Sequence, residues 1–164
     1  MGQFRRRSAA RFWLICITAT AIYSSSWCIV VDRIEGGCHC GAIRYALSAP
    51  PQQSMICHCK NCRRVSGAPV VAWITVDPST LAITKGEPAH YSSSANVDRQ
   101  FCNQCGTQLT YARTDDDSYI DVTTASLDDP DAFPPSHHSW LSHDIACIKF
   151  GDGLPAFQKS RGDG

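Results

Sequence analysis

The segment Cys57-His58-Cys59-Lys60-Asn61-Cys62 places three thiols within six residues, in the spacings C-x-C and C-x-x-C. Two more short pairs accompany it, Cys38-His39-Cys40 and Cys102-Asn103-Gln104-Cys105. Seven of the 10 cysteines therefore fall in three tight clusters. Spacings of one or two residues suit chelation of a single ion and are poor for pairing within a cluster. A disulfide framework is the competing reading, but it would spread its cysteines to staple a small secreted domain. Cys16, Cys28 and Cys147 stand alone and read as small buried hydrophobes.

The clusters predict two kinds of metal site. Cys38, Cys40, Cys102 and Cys105 supply four sulfurs, each pair beside glycine (Gly36, Gly37 and Gly41; Gly106). Glycine-flanked turns let backbone amides approach thiolates and stabilise their negative charge. Four thiolates in a tetrahedron make a closed structural zinc site, whose binding energy is folding energy. The spacing also admits iron. Zinc is preferred because nothing in the sequence points to electron transfer.

Cys57, Cys59 and Cys62 offer only three thiolates. Three protein ligands leave an open position for water or substrate, the usual pattern of a catalytic zinc. A soft ion with an open position suits a thiol substrate, because coordination holds it as thiolate. His58 lies between two of the ligands, but in an extended segment alternation turns it away from them. It is expected to pack or hydrogen-bond nearby, and His39 is read with the same caution. A histidine from His137, His138 or His143 is the protein alternative for the fourth ligand. Lys60, Arg63 and Arg64 follow the cluster. They either offset its charge, bind a substrate carboxylate, or are solvated surface charges.

These residues need a scaffold, and the chain from Gly36 onward reads as short strands between turns. Residues 42–48 form a half-buried strand with Ile43, Tyr45 and Leu47 on one side. Pro50 and Pro51 stop it. Residues 60–66 form a helical turn ended by Gly67. Residues 70–76, VVAWITV, are β-branched and apolar, a buried central strand. Further strands are expected at 81–84, 99–102, 108–112 and 119–125, with a polar hairpin tip at 115–117. Residues 128–135 read as a loop, and 137–141 and 145–150 as final short strands. The cysteines are expected in turns between strands. The class is mainly β, one domain at residues 34–158 with a tail at 159–164.

The 164 residues suffice for one domain with a real core, and a hydrophobic content of 43% against 18% charged marks a globular chain. The formal net charge of +0 gives no electrostatic reason to expect nucleic acid or an anionic membrane as partner. Residues 5–11 are basic, 12–23 mostly apolar and 24–26 serine, which resembles a secretory signal. The apolar run is short for a transmembrane helix, which needs roughly 20 residues. Residues 1–33 are therefore an N-terminal extension: a signal or anchor, another targeting segment, or a stretch without a role. Reduced cysteine clusters fit the cytoplasm better than an oxidising compartment, and no stable membrane partner is expected for the domain.

The motifs EGGCHCGAIRY (35–45), CHCKNCRRVSGAPVVAWITV (57–76), FCNQCGTQLTY (101–111), DVTTASLDDP (121–130) and GDGLPAF (151–157) occur in that order. Together they resemble the glutathione-dependent formaldehyde-activating enzyme (GFA) or centromere-protein-V-like family over residues 35–157. The chain departs from the family pattern at Ala146-Cys147-Ile148, where the family carries an aromatic–apolar segment, and in residues 1–33. The resemblance implies a β-rich, Mss4-like, tent-shaped fold. It implies two zinc ions, a structural one on Cys38, Cys40, Cys102 and Cys105 and a second on Cys57, Cys59 and Cys62 near the active site. It implies a carbon–sulfur lyase that joins glutathione to formaldehyde, giving S-hydroxymethylglutathione. Arg63, Ser66 and His138 are candidates to line that site. Two other classes compete: a non-catalytic zinc module for a protein partner, and a zinc-storage or redox-responsive protein with the three-thiolate cluster as its labile part.

Overall fold

The computed structural model describes residues 34–161 and the backbone of two earlier strands, β1 (Trp13–Cys16) and β2 (Cys28–Val31), which pair antiparallel. The readings of residues 1–33 as a signal or anchor, and of Cys16 and Cys28 as buried, lie outside the described residues. In chain order the remaining strands are β3 (Ile34–Gly37), β4 (Arg44–Leu47), β5 (Gln53–Cys57), β6 (Val71–Val76), β7 (Leu81–Lys85), β8 (Ala89–Ser94), β9 (Val97–Phe101), β10 (Gln108–Arg113), β11 (Ile120–Thr123) and β12 (His138–Ser139). One helix, α1 (Lys60–Ser66), joins β5 to β6. Among the described residues no helix is long and apolar enough to cross a membrane.

The strands form a three-stranded sheet, β3-β4-β7, and a seven-stranded sheet, β12-β5-β6-β11-β10-β9-β8. All pairings are antiparallel except β12 with β5. This is the mainly β class that the short apolar runs imply, of the tent-shaped kind that the family resemblance implies. The core draws on both sheets, so it lies between them: Ile34, Tyr45 and Leu47 from the small sheet meet Ile74, Val76, Leu109 and Val122 from the large one. Ile74, Val76, Leu109 and Val122 are all 0% exposed, and each such side chain contributes about 1.5–3 kcal/mol by burial. β-strand alternation then sends Trp73, Thr75 and Asp121 to the opposite face of the large sheet. The irregularity between Gln108 and Thr110 puts Tyr111, the partner of Asp121, there as well, although Leu109 is in the core. That second face carries the site.

The motif glycine Gly36 is required by close packing. It pairs with Tyr45 in the β3–β4 register. A Cβ there would stand 2.3 Å from Tyr45 Oη and 2.5 Å from the Ser126 carbonyl oxygen. Tyr45 is 1% exposed and hydrogen-bonded to Ser126 Oγ at 2.7 Å, so it has no room to yield. Gly36→Ala is expected to cost at least about 2 kcal/mol by overpacking. A urea titration that finds the midpoint unchanged would contradict this packing.

Several local expectations need correction. β3, β5 and β8 occur where no strand is expected. Two glycines mask β3, and β5 runs directly into the cysteine cluster. β8 is a serine-containing edge strand, mostly exposed. Residues 145–150 form no strand, and Cys147, expected to be buried, is exposed there. The strand expected at 137–141 shrinks to β12, because Trp140 turns into the left-handed region with φ 63°.

Candidate functional site

The cysteines are brought together as the spacing implies. Sulfurs of Cys38, Cys40, Cys102 and Cys105 all lie within 4.8 Å of one another, and so do those of Cys57, Cys59 and Cys62. All eight described cysteines are free thiols, so the disulfide reading fails for them.

The first cluster sits where two turns meet, β3–β4 and β9–β10. Cys38 Sγ lies 3.6 Å from Cys40 Sγ, and Cys40 Sγ 3.8 Å from Cys102 Sγ. Four sulfurs about 2.3 Å from a zinc-sized ion stand about 3.8 Å apart in a tetrahedron, so the donor set fits such an ion. Backbone amides serve the sulfurs: Ile43 N–H donates to Cys38 Sγ at 3.2 Å. Gly106, at φ 75°, turns the chain so that its N–H reaches the Cys102 carbonyl at 2.8 Å. The Thr107 hydroxyl, followed by the Thr107 N–H, holds the Cys105 thiol down to about 5. The cluster ties the small sheet to the large one.

The second cluster is built differently. Cys57 ends β5, Cys59 is the N-cap of α1, and Cys62 is the buried residue of that helix. Cys59 Sγ accepts the Cys62 N–H at 3.3 Å, so the cap bond itself folds Cys62 back towards Cys59. Gly67, left-handed at φ 66°, closes the helix by donating its N–H to the Arg63 carbonyl. Hydrogen bonds from the Cys57 thiol and then the Cys62 thiol push Cys59 far below the ordinary thiol range. The same contacts, Cys59 first, push Cys57 up. Three thiols this close cannot all ionise without a cation between them. A dication satisfies all three, and the set fits one. Among the described residues no fourth cysteine, histidine, aspartate or glutamate joins it.

The three sulfurs line a cavity of about 660 Å³, within the range of small-molecule sites. Trp73, Tyr111 and Trp140 supply aromatic walls, and Arg99, Arg113 and Asp121 supply charge. Arg99 is 2% exposed. Its Nη2 donates to Cys62 Sγ at 3.7 Å and its Nε to Ser93 Oγ at 3.0 Å. Its guanidinium lies 4.8 Å over the Tyr111 ring. Trp140, whose positive φ is unusual for a bulky residue, stacks on His143 at 5.4 Å.

The histidines lie elsewhere. His58 turns away from the sulfurs, as alternation requires, with Nδ1 hydrogen-bonded to Asp144 Oδ1 at 2.9 Å and Nε2 to His138 Nδ1 at 2.8 Å. His138 Nε2 continues to Asp152 Oδ2 at 2.9 Å, and Phe150 packs on both rings. Neither histidine ligates the cluster. The chain of contacts instead fastens the C-terminal segment to β5. Arg63, Ser66 and His138, expected to line the site, are not among the cavity-lining residues. Ser66 Oγ is occupied with the Cys62 carbonyl of its own helix, at 2.8 Å. His137 is held by Ser136 and packs edge-on against Phe157. Of the distant histidines only His143 reaches the cavity. Arg99 and Asp121 escaped the sequence reading. Their signal was a charged residue at alternate positions of otherwise strand-like segments, DRQF and YIDVT. His138→Ala is expected to cost about 2 kcal/mol by leaving His58 Nε2 and Asp152 Oδ2 without their partner. It should also speed amide exchange in residues 144–157; unchanged exchange would show that this contact chain fastens nothing.

Fold and site together define a small β protein with two cysteine clusters fit to hold metal ions. The chain belongs to the glutathione-dependent formaldehyde-activating enzyme (GFA) family, whose model matches residues 33–143. A Schizosaccharomyces pombe protein named an uncharacterized lyase is 35% identical over 84 residues, 51% of this chain and 61% of that one. A Halomonas elongata protein named for glutathione-dependent formaldehyde activation is 34% identical over 86 residues, 46% of this chain and 54% of that one. The chain thus spans somewhat more than half the length of these relatives. A solved Rhodobacter sphaeroides protein is similar at a TM-score of 0.49 and 20% identity, over 75% of this chain and 98% of that one.

Proposed function

We propose that this protein is a zinc enzyme of the carbon–sulfur lyase type acting on a thiol–aldehyde adduct, such as glutathione plus formaldehyde giving S-hydroxymethylglutathione. The observation that carries the reading is the three-sulfur cluster exposed to a ligand-sized cavity, with no fourth ligand among the described residues. Family membership and the names of the relatives support the thiol and the aldehyde. Cys57, Cys59 and Cys62 would hold the reactive zinc, and Cys38, Cys40, Cys102 and Cys105 a structural one. When bound, the reactive zinc supplies an open Lewis-acidic position that keeps a substrate thiol ionised at neutral pH.

The protein's own groups supply the rest. Arg99, buried against Cys62, offsets the negative charge of the thiolates. Trp73, Tyr111 and Trp140 exclude water and strengthen every polar contact inside. Lys60 and Arg113, also on the cavity wall, are placed to meet the carboxylates of a peptide thiol. The test is exchange NMR on glutathione and formaldehyde with the zinc-loaded full chain. Interconversion faster than the spontaneous reaction is expected. No acceleration overturns the reading and favours a non-catalytic zinc module.

A further inference from the structure

The cavity contains two buried charged groups, one of them with an open donor, that metal binding does not account for. Arg99 of β9 stands opposite Tyr111 of β10, Tyr111 opposite Asp121 of β11, and Asp121 opposite Thr75 of β6. This is one row across the sheet face that bears the cavity, and Arg99, Tyr111 and Asp121 all line it. Arg99 Nη1 is buried and has no hydrogen-bond partner. A buried donor left unpaired is costly, and at a cavity wall its natural partner is a ligand oxygen. Asp121 is 6% exposed. Its Oδ1 accepts from Thr75 Oγ1 at 2.6 Å. No described cation lies within ion-pair distance of Asp121, and no described hydrogen bond reaches its Oδ2.

We propose that Asp121 is the proton-transfer residue of the site and that Arg99 Nη1 holds the oxygen of the aldehyde or its hydroxymethyl adduct. The inference deepens the thiol–aldehyde reading and rests on it. Asp121 carboxylate accepts the S–H proton of the entering thiol. The sulfur electron pair forms the C–S bond at the carbonyl carbon, and the C=O π pair moves to oxygen. Arg99 donates a hydrogen bond to that oxygen, and Asp121 returns the proton to it, giving S–CH2–OH. No oxidant is needed, the proton count closes, and elimination runs the same steps in reverse.

Burial pushes the Asp121 carboxyl up to about 6, against the opposing effects of Thr75 and Arg99. A group near neutrality can both take and return a proton at working pH. The ionisable groups around it are Arg99 from β9, Tyr111 and Arg113 from β10, and Tyr119 just before β11. Across the cavity are Lys60, the three thiols and His143.

The test is Asp121→Asn, which keeps the size of the side chain, measured beside wild type in the zinc-loaded full chain. Adduct exchange is expected to fall at least about 100-fold, with the rise of rate through pH 6 abolished. Calorimetric glutathione affinity is expected to change less than about threefold, as for a proton-transfer group rather than a binding one. A second readout does not need turnover. The raised pKa stabilises the fold below the ordinary carboxyl pKa, and this stability is lost as pH rises through about 6. The Tm of Asp121→Asn relative to wild type should therefore be higher at pH 8 than at pH 4. An Asn variant with the wild-type rate and pH profile overturns the proposal while leaving the thiol–aldehyde reading intact. So does a variant whose loss is a matching loss of glutathione affinity. Wild type without turnover overturns both.

Discussion

Cys59→Ser is expected to lower zinc content from two ions per chain to one and to reduce thiol–aldehyde turnover to the spontaneous rate, with the fold intact. Each part has a separate cause. The three-thiolate set has no spare ligand, and a serine hydroxyl is a hard, weakly acidic donor that replaces a thiolate poorly on zinc. The fold survives because Cys59 caps α1, and serine is a preferred N-cap that can accept the same Cys62 N–H. Metal binding at the four-cysteine cluster should be unaffected, because that cluster is formed by other turns. Metal analysis, circular dichroism and exchange NMR on one preparation check all three. A variant retaining both ions would remove the second cluster from the metal chemistry.

Cys102→Ser is expected to have the opposite character. Cys102 is 0% exposed and packs within the main core, and its cluster ties the three-stranded sheet to the seven-stranded one. Structural zinc sites bind with roughly 10–16 kcal/mol, comparable with the whole stability of a domain, about 5–15 kcal/mol. Loss of one of four donors is therefore expected to abolish the cooperative melting transition. Calorimetry decides it: a Tm within a few degrees of wild type would mean that the cluster does not hold the sheets together. The same difference in donor number sets the order of metal loss. A mild chelator should empty the three-sulfur site first, with activity falling before any change in circular dichroism. Simultaneous loss of both ions would contradict the ranking.

Much of this was available from local chemistry. Cysteine spacing made two metal sites of unequal ligand number the expectation: the three-sulfur set needs only ligands that are near neighbours in sequence, whereas the four-sulfur set also needs the fold to bring together Cys40 and Cys102, 62 residues apart. Glycine at position 67 determined the end of α1, since only a left-handed residue closes a short helix there. The alternation in YIDVTT and the β-branched run in VVAWITV determined strands, because side chains on a pleated sheet repeat every two residues.

Other features depended on pairing across the chain. β5 was hidden because its end is also the first ligand. Alternation already turned His58 away from the sulfurs, but His138 stood as a candidate fourth ligand until the parallel pairing of β12 with β5 set it beside His58, against Asp144 and Asp152. Nothing in DRQF or YIDVT indicates that Arg99 and Asp121 share a row through Tyr111. That row depends on the register of three strands, including a bulge between Gln108 and Thr110. Ligand identity was thus set by neighbours in sequence, whereas the cavity and its charged wall were decided by strand register. Register is a property of long-range pairing, and a one-residue slip would have turned the whole row to the other face.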